Sequence, residues 1–123
     1  MNGNNALLDS NIIIYLSKRE VPLSFLDQFN KHYISVITYM EVLGYKFRNY
    51  KEEKFIREML EVFRILFIDQ KIADIAIEIR RERQIKLPDA IIAATAKTLN
   101  LCLVTRNIDD FKKVEIQIAN PFD

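Results

Sequence analysis

Ala6-Leu7-Leu8-Asp9-Ser10-Asn11-Ile12-Ile13-Ile14-Tyr15-Leu16 is the stretch whose reading decides the fold. An apolar run ends in an aspartate, and two short polar residues precede a second apolar run. Ala6 to Asp9 has the length and composition of a short buried strand. Ile12-Ile13-Ile14-Tyr15 also has strand composition, but a strand there would leave no turn after Asp9, whereas Ser10 or Asn11 can cap a helix. We read Asn11 to Leu16 as helix, so the stretch is a strand that passes into a helix at a carboxylate.

The alternation continues along the chain. Four further strand candidates are Tyr33 to Ile37, Ile65 to Ile68, Cys102 to Thr105 and Glu115 to Ala119, all free of proline. Between them Phe55, Met59, Val62 and Phe63 recur at helical spacing, as do Ile72, Ile75, Ala76 and Ile79. Pro22 and Pro88 suit the first turns of helices, and Pro121 falls in the tail. Short apolar runs alternating with amphipathic helices predict a three-layer α/β/α fold around a central parallel sheet of about five strands. No repeat or linker interrupts the chain, so residues 1–123 are expected to form one domain.

Bulk composition narrows the class. At 123 residues, half of them apolar, the chain can bury one core, and 28% charged residues resemble an ordinary soluble surface. Only 2 Gly and 3 Pro exclude collagen-like or disordered classes. The formal charge of +1, from 18 basic and 17 acidic residues, gives no molecule-wide pull toward nucleic acid or membrane. No apolar run reaches the roughly 18 residues of a bilayer span, and Met1 to Asn5 has no signal-peptide character, so a cytoplasmic location is expected. Cys102, the single cysteine, lies in Leu101-Cys102-Leu103-Val104 and reads as a small buried hydrophobe.

Three carboxylates each have an ordinary structural reading. Asp9 can serve a helix N-terminus. Thr38-Tyr39-Met40-Glu41 matches a capping box, in which Glu41 accepts from the cap's own N–H. Asp89, after Pro88 at the start of a helix over Ala90 to Asn100, interacts favourably with the helix dipole.

Together they mean more. In a parallel sheet with helices on both faces, ligands gather beyond the carboxyl ends of the strands. Asp9 follows the first strand, Glu41 the second, and Thr105-Arg106-Asn107-Ile108-Asp109-Asp110 the fourth; Asp89 joins them if its helix starts on that side. Carboxylates gathered there repel one another unless a divalent cation neutralises them. Oxygen donors, with His32 and Cys102 distant in sequence, favour Mg²⁺ or Mn²⁺ over zinc; His32 reads as a surface residue. Such a site suits phosphodiester hydrolysis, where the ion activates water and neutralises phosphate charge.

Four segments in order resemble the PIN-domain ribonucleases, in particular the VapC-type toxins of toxin–antitoxin pairs. They are Leu7-Leu8-Asp9-Ser10-Asn11, Ser35-Val36-Ile37-Thr38-Tyr39-Met40-Glu41, Leu87-Pro88-Asp89-Ala90-Ile91-Ile92-Ala93-Ala94-Thr95-Ala96, and Leu103-Val104-Thr105-Arg106-Asn107 with Asp110-Phe111. The closing Asn120-Pro121-Phe122 also looks like the family's terminus. The resemblance gives Asp9, Glu41 and Asp89 the places of the core acidic metal-site residues, with Thr38 and Thr105 beside them. It departs at Asn107, where an aspartate is the family's alternative; the fourth group is Asn107, Asp109 or Asp110. It implies an endoribonuclease toxin, a homodimer, an RNA substrate and a small antitoxin that blocks the cleft.

Lys46, Arg48, Lys51 and Lys54, and Arg80, Arg81, Arg83 and Lys86, form basic clusters that read as solvated helix faces or as a phosphate track with Arg106. Tyr39, Tyr45, Phe47, Tyr50 and Phe55 read first as core and second as an interface. A haloacid-dehalogenase-like site lacks its second aspartate after Asp9, and a receiver domain would find only Asp69 after the third strand. The stronger rival is a non-catalytic PIN-like scaffold that binds RNA or protein and keeps the carboxylates as caps.

Overall fold

Ala6 and Leu8 pack on one face of the sheet and Leu7 on the other, as the two-residue period of a strand requires. All three are fully buried, so β1 (Asn5–Leu8) is a central strand covered on both sides. The computed structural model describes residues 4–123. Met1 to Gly3, part of the stretch from which no signal peptide is expected, lie outside the described residues. With β2 (Lys31–Ser35), β3 (Arg64–Leu66), β4 (Cys102–Val104) and β5 (Ile118–Ala119), β1 forms an all-parallel sheet in the order β3-β2-β1-β4-β5. The expected α/β architecture with five parallel strands is the one observed.

Helices α1 (Ser10–Ser17) and α3 (Tyr50–Leu60) cover one face, where Ile12, Ile13, Leu16, Ile56 and Leu60 meet Ala6, Leu8, Ile34 and Val104. Helices α4 (Gln70–Glu82) and α5 (Leu87–Leu99) cover the other, bringing Ile72, Ala76, Ile79 and the run Ala90 to Ala96 onto Leu7 and Leu103. Every residue of that run is buried, the mark of a helix with neighbours on all sides. Helix α2 (Val36–Leu43) sends Val42 to the first core and Ile37 to the second. A four-residue helix, α6 (Ile108–Phe111), adds Phe111 to the second core.

Several boundaries differ from the sequence reading, each for a local reason. The strand read as Tyr33 to Ile37 stops at Ser35, whose Oγ accepts the Ile37 N–H at 3.2 Å and caps α2. Thr38 is therefore inside the helix and fully buried, and the Thr38–Glu41 capping box does not form. Asp9, not Ser10 or Asn11, caps α1. Pairing of β3 ends at Leu66, leaving Phe67 and Ile68 exposed, and β5 is confined to Ile118–Ala119. Val62 and Phe63 lie beyond α3, whose buried side is Ile56 and Leu60 rather than Phe55. Asp69 caps α4 through a 2.9 Å bond from the Ile72 N–H.

The strand order fixes where a ligand can sit. The chain builds outward from β1 through β2 to β3, then crosses to the far side of β1 for β4 and β5. β1 and β4 therefore flank the point of reversal, and the crevice at their carboxyl ends is open to ligands.

Candidate metal centre

Asp9 and Thr105 are the first residues past the paired ends of β1 and β4. The Asp9 N–H donates to the Val104 carbonyl at 3.2 Å, and the Thr105 N–H to the Ala119 carbonyl at 3.0 Å, so the sheet itself places both. Asp9 Oδ1 accepts the Ile12 N–H at 3.0 Å and its Oδ2 accepts the Thr105 hydroxyl at 2.5 Å. Thr105 Oγ1 in turn accepts the Asn107 N–H at 3.0 Å. Burial pushes the Asp9 carboxyl above the usual carboxylate range; the bonds from Thr105 and from the start of α1 oppose this, and the charge of Glu41 adds to it.

Asp89 stands in the first turn of α5 behind Pro88. Partial burial raises its pKa, and the charges of Asp110, Asp9 and Glu41 raise it further against the pull of Lys86. Side chains from four separate segments thus share one negative field. Glu41, exposed on α2, takes a 2.5 Å hydrogen bond from Ser10 Oγ.

Asp9, Glu41, Asp89 and Asn107 line one cleft of about 980 Å³. A second cleft, of about 1060 Å³, shares Asn11, Glu41, Asp89 and Asn107 with it and adds Asp109 and Asp110. The two meet at the carboxylates and diverge in character. The first runs out past Ile14, Tyr45, Phe47 and Phe55, the second past Arg83, Gln84, Lys86 and Lys113.

The donor chemistry fits a hard divalent ion: oxygen atoms only, in a partly buried negative field that Lys86 offsets only in part. Convergence is less complete. Among the described residues, no three acidic, His or Cys side chains close on a common point, and Glu41 is drawn aside by Ser10. Asp9, Asp89 and Glu41 would hold the ion, with Asn107 or Asp110 beside them.

The remaining expectations divide. Asn107 caps α6 without a side-chain bond of its own, which leaves its amide free to face the clefts. Asp110 lies in the second cleft only, and Asp109 is paired with Lys112 at 3.5 Å. Among the described residues Thr38 Oγ1 is buried without a hydrogen-bond partner, and Thr38 lines neither cleft. Arg106 lines neither as well, because its guanidinium is stacked over Phe122 and Tyr15.

Other readings shift too. His32 is half-buried rather than at the surface, with Nε2 2.7 Å from the Leu26 carbonyl, and so Nε2 carries the proton. Cys102 is buried in β4 as read, and burial raises its thiol pKa. Tyr45, Tyr50 and Phe55 are exposed, against the core reading, while Tyr39 and Phe47 pack on the first core. Of the two basic clusters, Arg48 reaches the first cleft while Arg83 and Lys86 reach the second.

Three residues of the site's surroundings escaped the sequence reading as functional: Ser10, Tyr15 and Phe122. Ser10 had a signal, since it adjoins Asp9, but a serine there reads equally as a cap. Nothing in sequence ties Phe122 to Arg106.

Residues 6–117 match the PIN domain family. Toxin FitB of Neisseria gonorrhoeae is 30% identical over 94% of this chain and 97% of its own. A toxin–antitoxin complex from Klebsiella pneumoniae contains a chain 37% identical, with a TM-score of 0.77, covering 96% of this chain and 98% of that one. VapBC-1 from nontypeable Haemophilus influenzae matches at 27% identity and a TM-score of 0.80, over 97% of this chain and 99% of that one. Among the described residues no helix is long and apolar enough to cross a membrane. The family match runs from Ala6 in β1 to the residue before β5, and the chain belongs to the PIN-domain family, in its VapC-type toxin branch.

Proposed function

We propose that the chain is a metal-dependent endoribonuclease, the toxin of a type II toxin–antitoxin pair, using Mg²⁺ or Mn²⁺ at Asp9, Glu41 and Asp89. The observation that carries this reading is the meeting of these three carboxylates and Asn107 in one cleft at the switch point of the sheet, where Asp9 feels the charge of Glu41 and Asp89 feels the charges of Asp9 and Glu41. When bound, the ion supplies Lewis-acid activation of water and neutralises charge on the phosphate. Thr105 holds the Asp9 carboxylate in a fixed orientation, and α1 receives its second oxygen. Ser10 restrains Glu41. Asn107 and Asp110 are the groups that complete the donor set or hold a water.

The substrate is RNA, and Lys86 and Lys113 of the second cleft are available to its phosphates, while Arg83 there is paired with Glu82 at 3.0 Å. The apolar end of the first cleft, at Tyr45, Phe47 and Phe55, is the seat for a cognate antitoxin. That relatives were solved as toxin–antitoxin complexes supports the partner. A homodimer is part of the same proposal, supported by exposed Val62, Phe67, Ile77 and Leu87.

The test is cleavage of RNA with Mn²⁺ present or chelated. Wild-type protein cuts only with the ion, and Asp9→Asn or Asp89→Asn loses about 100-fold or more of the rate with the fold intact. Equal cleavage by these variants overturns the mechanism.

One observation favours a second reading, a non-catalytic PIN-like scaffold: the acidic side chains do not close on one point, and Asn107 stands where a carboxylate is the alternative. Such a scaffold binds RNA or protein without cutting and shows no saturable Mn²⁺ binding.

A further inference from the structure

We propose that Arg106 is a positioning residue of the carboxylate site: gripped by Tyr15 and Phe122, it holds the segment from which Thr105 orients Asp9 and Asn107 reaches the clefts. This rests on the metal-site reading above.

The contacts are specific. The Arg106 guanidinium lies 4.1 Å from the centre of the Phe122 ring and 5.5 Å from that of Tyr15, and Nη1 donates to Tyr15 Oη at 3.3 Å. The two rings meet edge to face at 4.9 Å. Among the described residues Arg106 has no carboxylate partner, so its charge is directed to the aromatic faces.

Its neighbours in sequence are the two residues that matter. Thr105 donates to Asp9 Oδ2, and the Asn107 N–H is tied to Thr105 Oγ1. The clamp's other parts come from far along the chain. Tyr15 belongs to α1, the helix that Asp9 caps, and Phe122 follows β5, whose Ala119 carbonyl accepts the Thr105 N–H. The tail is itself shaped by a 3.0 Å bond from the Phe122 N–H to Asn120 Oδ1. A ring of contacts therefore closes from Asp9 to Thr105, through Arg106 to Tyr15, and back along α1 to Asp9.

The segment is anchored at its two ends, by Thr105 on the sheet and by Phe111 in the second core, and is weakly held between them. Helix α6 is a single turn, and its cap residue Asn107 makes no side-chain cap bond. Loss of the clamp leaves Thr105 joined to the sheet by its backbone but frees the Asn107 amide and the Thr105 hydroxyl to leave their places. Cation–π contacts at an exposed site are weak beside the stability of a whole domain. The consequence falls on local order and ion affinity before it falls on the fold.

The experiment compares wild type with Arg106→Ala, Phe122→Leu and Arg106→Lys, reading amide hydrogen exchange without metal and Mn²⁺ affinity by calorimetry. The expected result is exchange at Asn107 faster by about 5- to 10-fold and Mn²⁺ affinity weaker by about 10-fold in the first two variants. Arg106→Lys, which keeps a cation over the ring, recovers most of both, and Tm stays within a few degrees. Unchanged exchange at Asn107 in both loss variants overturns the proposal, as does uniform acceleration across the sheet, which would mean a merely structural contact. If wild-type protein binds no Mn²⁺, the metal-site reading has failed, and local exchange at Asn107 still decides the clamp.

Discussion

Asp9 does two jobs that conflict. As the cap of α1 it is best charged, yet burial and the charge of Glu41 both disfavour that charge. Asp89 is in the same position with Asp110, Asp9 and Glu41 around it. For both, the folded-state pKa lies above its unfolded value, so the native protein binds these protons more tightly than the unfolded chain. Their contribution to stability is complete below the unfolded pKa and is lost as pH rises through the folded one. Asp89→Asn removes that loss. Its Tm should match or exceed that of wild type at neutral pH, with the advantage shrinking toward about pH 4, while cleavage falls. Calorimetric melts of the two proteins across that range check the sign. A divalent ion relieves the same repulsion, so the Mn²⁺-induced rise in wild-type Tm should be larger at about pH 7 than at about pH 5, where protons compete for the oxygens. At this scale the sequence was informative about position and silent about partners. Asp9 could be placed at a strand end because Ala6-Leu7-Leu8 stops there, but the Ser10–Glu41 and Arg106–Phe122 contacts depend on which strands become neighbours.

The elements were legible where burial dictates pattern. Ala6 to Leu8 of β1 and all of β4 are buried, and their apolar runs announce them; the Ile72, Ala76 and Ile79 stripe of α4 does the same at helical spacing. Ends were harder, because a serine or aspartate between two apolar runs can close one element and open the next. Ser35 does this between β2 and α2, which moved the start of α2 upstream of Thr38 and carried Glu41 into the second turn. Ser35→Ala should cost about 0.5–2 kcal/mol of unfolding free energy by denaturant titration, with Mn²⁺ affinity lowered as well, since α2 carries Glu41. Leu7, buried between the sheet and α5, sets the larger scale: Leu7→Ala should cost about 2–5 kcal/mol. A similar loss from Ser35→Ala would mean that the cap does more than close one turn.

Over the whole molecule, strand order decides what the carboxylates can do together. Because β4 lies beside β1 rather than beyond β3, Thr105 and Asn107 arrive next to Asp9, and α5 brings Asp89 to the same cleft. Sequence indicated that edge only through the general behaviour of parallel sheets. The adjacency of β1 and β4, and the division of the groove into an arm with aromatic residues and an arm of mixed charge, are products of packing that one sequence does not display. Divergent arms imply separate tenants. Charge reversal at Lys86 and Lys113 should weaken RNA binding and flatten its salt dependence while leaving antitoxin binding within about 3-fold, and Tyr45→Ala with Phe55→Ala should do the opposite. Fluorescence anisotropy with labelled RNA and labelled antitoxin separates the two. The most direct measurement is calorimetric titration of Mn²⁺ into the wild-type protein and into Asp89→Asn. Saturable binding by wild type that disappears in Asp89→Asn is the expected result; no binding by wild type, or equal binding by both, contradicts a metal centre built on these carboxylates.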